Sequence, residues 1–164
     1  MSEKPQEVRG IAANKRARFE YQILEEIECG IALTGTEVKV LRSGRCSLQE
    51  AWGQVRSAGA KKNRAELYLV GANIPEYAQG NVHNHKPDRD RKLLAKRREI
   101  DSLHASVKQK GVTLVPLAIY FKGSRVKVQL GLAKGKKLYD KRADKKEKDD
   151  KREIDRAMSK SRRG

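Results

Sequence analysis

The chain of 164 residues carries 38 Lys and Arg against 21 Asp and Glu, for a net charge of +17 and a pI near 10.1. That length suits one domain with an extension, and that charge favours a polyanionic partner. Nucleic acid is preferred over membrane, because no apolar run approaches the ~18 residues of a span and no amphipathic helix carries a Trp/Phe/Leu face.

The charged amino terminus MSEKPQEVRG lacks the apolar run of a signal peptide, so a cytoplasmic protein is expected. Residues 1–13 read as disordered. A basic cluster, Asn14-Lys15-Arg16-Ala17-Arg18, runs into Phe19, Tyr21 and Ile23, whose alternation with polar residues predicts a half-buried strand. The strand system resumes at Ile31 and Leu33 after a break near Cys29-Gly30. Thr34 and Glu37 form a capping-box pattern that starts a short helix with Val38 and Leu41 on one face, Lys39 and Arg42 pointing outward, and Gly44 at its end.

Residues 48–56 read as a strand containing Trp52, residues 57–64 as a basic turn and residues 66–70 as the returning strand of a hairpin. The polar stretch 77–87 has no periodicity and reads as a loop. From Asp88, the spacing of Leu93, Leu94, Ile100, Leu103 and Val107 predicts two helices broken around residues 95–98 and stopped by Gly111. Residues 112–121 form a continuous apolar run, a buried strand. After a Lys-Gly-Ser turn, residues 125–132 alternate, with Val126, Val128, Leu130 and Leu132 inward and Arg125, Lys127 and Gln129 outward. The expectation is a mainly β fold with α additions: a small OB-like antiparallel barrel of about six strands with two or three short helices. The body spans residues 14–132.

The remaining segment, 133–164, is a basic tail with 14 Lys and Arg against 7 Asp and Glu. Leu138, Tyr139, Ile154 and Met158 are its only large apolar side chains, too few to offset the entropy of ordering. Its residue types nonetheless favour a helix, and it has no Gly or Pro between Lys136 and Arg163. A tail disordered when free and helical on a partner is expected.

No nucleotide-binding, zinc-protease or serine-hydrolase motif occurs, so no enzyme activity and no cofactor are expected. Cys29 and Cys46 are not in a CxxC pair, and His83 and His85 alone are a weak ligand set, so no metal site is expected. Three basic clusters stand out: 14–18 before the first strand, 89–98 on the second predicted helix, and 134–137 after the last strand. Together they fit recognition of a folded RNA by shape and backbone. Trp52 and Phe121 fall on strand positions where core packing is the default. Tyr139, in a tail with no core to join, is placed to stack on a base.

Asn14-Lys15-Arg16-Ala17-Arg18-x-Glu20-Tyr21, Gly35-Thr36-Glu37-Val38-Lys39-x-Leu41-Arg42-x-Gly44, Arg91-Lys92-Leu93-Leu94, Glu99-Ile100 and the run from Gly131 through Lys134, Lys136, Lys137 and Tyr139 to Arg142 resemble the signature of the small protein B family, the SsrA-binding proteins. The resemblance covers nearly the whole chain, in order. It implies an OB-like body that binds the tRNA-like domain of transfer-messenger RNA. It also implies delivery of the charged RNA, with elongation factor Tu and GTP, to stalled ribosomes. By motif position Asn14, Lys15, Arg16, Arg18, Glu28, Arg91, Lys92 and Leu94 would form the RNA-binding face, joined by the basic side chains Lys39, Arg42, Lys134, Lys136 and Lys137. Tyr139, Asp140, Lys141 and Arg142 would reach the decoding centre. Lys145, Lys148, Lys151, Arg152 and Met158 would follow along the empty messenger channel against small-subunit RNA. The chain departs from the family pattern at Asp150, where many family tails carry Trp, and in the loop 77–87. A monomer is expected. The competing readings are a structural ribosomal protein with an OB-like body, and a nuclease.

Overall fold

The computed structural model describes residues 5–58 and 64–162. The tip of the predicted basic turn, residues 59–63, lies outside the described residues, as do residues 1–4 and 163–164. The elements run β1 (Val8–Ala13), α1 (Ala17–Glu20), β2 (Tyr21–Ile31), α2 (Gly35–Arg42), β3 (Trp52–Ser57), β4 (Ala65–Val70), β5 (Arg91–Leu94), α3 (Arg97–Val107), β6 (Val112–Lys122), β7 (Arg125–Gly135) and α4 (Leu138–Ser161). A single 3-10 turn covers Asn81–His83.

All strand pairs are antiparallel. The order β6-β3-β4-β5-β2-β7 returns to β6, so the sheet closes into a ring of six strands, with β1 paired to residues 118–122 of β6 beyond its contact with β3. The closing contact between β3 and β6 is one residue pair, Gly53 with Leu114. A Cβ on Gly53 would stand 2.7 Å from the Leu114 Cβ, so only glycine lets the two backbones meet there.

The ring is filled by Cys29, Leu67, Leu69, Leu93, Leu114, Ile119, Val128 and Leu130, all buried. Each such leucine contributes about 1.5–3 kcal/mol by leaving water. Val40 and Leu41 of α2 and Ile100 and Leu103 of α3 join the same core. A second, smaller cluster of Ala17, Val115, Leu117 and Ala133 lies on the other face of β6 and β7, with Tyr21 and Ile23 packed against it. Bulges between Ile23 and Glu25 and between Pro116 and Ala118 switch β2 and β6 from one face to the other. This is why residues 112–121 read as one unbroken apolar run: both faces of β6 are covered.

The two hairpins, the buried strand and the capped helix stand as expected. Thr34 Oγ1 accepts from the Glu37 amide and Glu37 Oε2 accepts from the Thr34 amide, closing the capping box. Five expectations are corrected. Residues 8–13 are a strand, because β6 offers them a free edge. Phe19 belongs to the single turn α1 and is exposed, so the strand starts at Tyr21. β2 is unbroken through Cys29-Gly30, since β7 pairs with it along its length. The strand containing Trp52 starts at Trp52 itself, with Leu48 in the turn before it. Finally, the first of the two predicted helices around residues 88–107 is the strand β5; its pairing with β2 and β4 outweighs local helical spacing.

The last strand extends past Leu132 to Gly135, and the tail, expected to be disordered when free and helical on a partner, carries the 24-residue helix α4. No side chain of α4 is buried. Among the described residues no helix is long and apolar enough to cross a membrane.

Candidate nucleic-acid interface

The register of β2 against β7 builds the main patch. Tyr21 pairs with Gly135 and Gln22 with Lys134, which sets the cluster 14–18 beside the cluster 134–137. Lys15, Arg16, Arg18, Lys134 and Lys137 all face solvent there. Asn14 is held by its amide N–H on the Leu117 carbonyl at 2.8 Å, and its side-chain amide donates to the Leu48 carbonyl at 3.5 Å. Arg16 pairs with Glu20 at 3.0 Å and Arg18 with Glu26 at 2.7 Å. Such exposed pairs are weakly held and leave both guanidinium groups able to exchange a carboxylate for a phosphate.

Lys136 is different. Its backbone N–H donates to the Glu20 carbonyl at 2.9 Å, and its ammonium donates to the Arg18 carbonyl at 3.0 Å and to the Asp144 carboxylate. The side chain is mostly covered. It fastens α4 to α1, so its charge is less free than those of Lys134 and Lys137. The fastening brings Lys145, Lys148 and Arg152 of the tail into one groove with Lys15, Arg18 and Phe19, with Asp144 and Asp149 between them. Tyr139, Asp140, Lys141, Arg142, Lys151 and Met158 lie along α4 with little cover, Tyr139 being 79% exposed. Asp140, in the first turn, complements the positive end of the helix dipole.

The third cluster does not join them. On β5 the side chains alternate: Arg91 and Leu93 inward, Lys92 and Leu94 outward. β5 meets β2 at Gly30 and Ile31, nine residues from Tyr21, which puts the two patches about 30 Å apart along the strand. Lys92 pairs with Glu66 at 2.8 Å, and Leu94, 53% exposed, borders a groove with Val38, Arg125 and Lys127. Lys39 sits over the Tyr77 ring at 5.2 Å, and Arg42 is exposed at the end of α2.

Arg91 is the clearest correction. It is 0% exposed, and its guanidinium donates to Glu37 Oε1 at 2.8 Å, to the Ala72 carbonyl at 2.8 Å, to the Pro87 carbonyl at 3.0 Å and to the Arg89 carbonyl at 3.1 Å. With every nitrogen engaged inside the protein, it cannot touch a phosphate. Arg89, partly exposed, grips both oxygens of the same Glu37 at 2.7 Å. Burial alone would raise the Glu37 carboxyl, but hydrogen bonds from Arg89, the Thr34 amide and Arg91 hold it below the ordinary range.

Glu28 lies on the outer face of β2, where it accepts from the Tyr120 hydroxyl and from Lys122 at 3.1 Å. The Tyr120 bond, aided by Lys122, keeps its carboxyl low against the raising effect of burial. Gln129 bridges Tyr120 to Glu26, so one polar chain runs from Arg18 across three strands to Lys122. Glu28 therefore holds the Lys122 ammonium and the Tyr120 hydroxyl together on this face.

His85 is buried, its Nδ1 paired with Thr36 Oγ1 and its Nε2 with the Ile74 carbonyl, both at 2.9 Å. Among the described residues no group of three His, Cys, Asp or Glu is placed to hold a metal.

The family model described as "SmpB protein" matches residues 11–160. The chain belongs to the SmpB family. An SsrA-binding protein of Magnetococcus marinus is 51% identical over 148 residues, covering 90% of this chain and 94% of that protein. One from Salinispora arenicola is 50% identical, covering 94% and 92%. A chain from the solved structure described as "tmRNA-SmpB: a journey to the center of the bacterial ribosome" is 44% identical, with a TM-score of 0.62, covering 82% of this chain and 87% of that chain.

Three cations at the surface of this SmpB family member, Arg9 and Arg125 exposed and Lys127 half-buried, were not among the expected site residues. Arg125 and Lys127 border the Leu94 groove, and Arg9 stacks over Phe121 at 5.1 Å beside Arg42. For Arg125 and Lys127 the signal was present in their outward-facing alternation. Arg9 was hidden by the reading of its segment as disordered.

Proposed function

We infer that the chain is the non-catalytic RNA-binding adaptor of trans-translation: it binds transfer-messenger RNA and delivers it to stalled ribosomes. What carries this is the family match from residue 11 to residue 160, which takes in the closed sheet, both basic patches and nearly all of α4. The geometry supports a division of labour. Asn14, Lys15, Arg16, Arg18, Lys134 and Lys137 form a continuous basic surface for the tRNA-like domain, with Lys92, Leu94, Lys39 and Arg42 as a second contact. The exposed helix α4 enters the decoding centre with Tyr139 to Arg142 leading, and the rest follows along the messenger channel. Its lack of any buried side chain suits a channel walled by phosphates, which orders a charged helix without a core. Elongation factor Tu with GTP is engaged through the charged RNA. The adaptor works as a monomer in the cytoplasm.

A mobility-shift assay against transfer-messenger RNA and an unrelated tRNA at several salt concentrations tests the reading. Tighter binding to transfer-messenger RNA that persists at higher salt is expected. Equal affinities that vanish together with salt would refute specific recognition, and stoichiometric retention on ribosomes after a high-salt wash would favour a structural ribosomal protein.

A further inference from the structure

Trp52 is the chain's single tryptophan, and it is not in the core. It starts β3 on the outer face of the ring and is 45% exposed, while its neighbour Gly53 faces inward. Leaving an indole half in water forfeits a large apolar gain, which makes an exposed Trp beside polar groups a candidate contact. Its position is fixed. Gly71, at φ +77°, lies against the indole, and a Cβ there would stand 3.1 Å from Trp52 Cζ3 and 2.4 Å from the Glu50 carbonyl oxygen. Only glycine allows this approach.

The indole borders a cleft of about 490 Å³ whose other walls include Asn14, Arg16, Glu20, Gln49 and Thr113. The cleft thus joins one aromatic surface to side-chain donors and acceptors and to an exposed guanidinium whose carboxylate partner is the half-buried Glu20. A nucleobase has the matching form: a flat π-face, a polar edge, and a phosphate one sugar away. We propose that this cleft takes a single unstacked nucleotide of the bound RNA, its base on Trp52, its edge toward Asn14, Gln49 and Thr113, and its phosphate on Arg16. The proposal rests on the RNA-binding reading above and adds to it a stacking platform outside the basic clusters. Continuity supports an RNA occupant over a protein side chain, because Asn14 and Arg16 belong to both the cleft and the main basic patch.

The lone tryptophan makes the test direct. The full-length protein is titrated with end-labelled transfer-messenger RNA, following RNA anisotropy and Trp52 emission together. Strong quenching that tracks the anisotropy is expected. Trp52→Leu, which keeps apolar bulk but removes the π-face, should weaken binding about tenfold, with Trp52→Phe recovering most of the loss. Circular dichroism confirms that each variant is folded, and the emission experiment needs no variant at all. RNA that binds with Trp52 emission unchanged and Trp52→Leu within twofold of wild type would overturn the stacking site and leave the RNA reading intact. Failure of the RNA to bind would remove both. Emission that responds to ribosomal protein but not to RNA would assign the cleft to a protein partner and overturn the proposal.

Discussion

Arg91 Nε donates to Glu37 Oε1 at 2.8 Å across 54 residues of chain, and neither side chain has any contact with solvent. This ion pair ties the start of β5 to α2, and the remaining donors of Arg91 hold the carbonyls of Ala72, Pro87 and Arg89. Removing one partner strands the other charge in the interior. Arg91→Ala and Glu37→Gln should each cost about 3–5 kcal/mol of stability, read as a lower midpoint in urea unfolding. Any loss of RNA affinity in Arg91→Ala should follow the unfolded fraction; a large loss in fully folded protein would restore Arg91 to the contact surface.

Glu37 also sets a pH dependence. Its carboxyl is held below the ordinary glutamate value of 4.5, so its stabilising effect is complete above that value and is lost as pH falls through the folded one. Wild-type stability should drop on acidification below about 4.5 more steeply than that of Glu37→Gln. Parallel slopes in acid unfolding of the two proteins would contradict this.

Burial pushes the Cys29 thiol up to about 12 and the Cys46 thiol up to about 11. Since the thiolate is the reactive form, neither should react with a disulfide reagent at pH 8 until denaturant is added. Fast labelling of the native protein would show that the strands around Cys29 or the turn around Cys46 open readily.

The helix α4 buries nothing, and only its first turns are fastened, by Lys136 and Asp144. Deleting residues 140–164 should leave RNA affinity within about threefold, less than the ~1.4 kcal/mol of a tenfold change, while abolishing peptide tagging on stalled ribosomes. A helix this polar is only marginally populated without a partner, so truncating the free protein at Leu138 should remove much less helical circular-dichroism signal than the 24 residues of a fully formed α4 would contribute. A loss of RNA binding equal to that of Lys15→Ala with Arg16→Ala would overturn this separation.

Much of the fold was legible locally. The alternation of Val126 to Leu132, the turn before it and the Thr34–Glu37 box each need only near neighbours, and each appears as read. β5 was not legible, because Leu93, Leu94 and Ile100 fit a helical period and an inward Arg91 spoils the alternation. Only Glu37, far away in sequence, makes a charged residue acceptable inside. The site divides in the same way. Which residues are basic is plain from the chain, but the apposition of Arg18 with Lys136 comes from the β2–β7 register, and the exposure of Trp52 from how the ring closes at Gly53.

Lys136 has one more consequence, which is mechanical. At 24 residues, α4 is about 36 Å long, and its fastening sits at one end, on the backbone of the same turn that carries Arg16 and Arg18. The helix is a lever with its fulcrum in the main basic patch. A rotation of about 10° at Lys136 sweeps the tip near Met158 through roughly 6 Å, a full helical pitch. Small adjustments of α1 on a bound phosphate would thus steer the far end of the molecule.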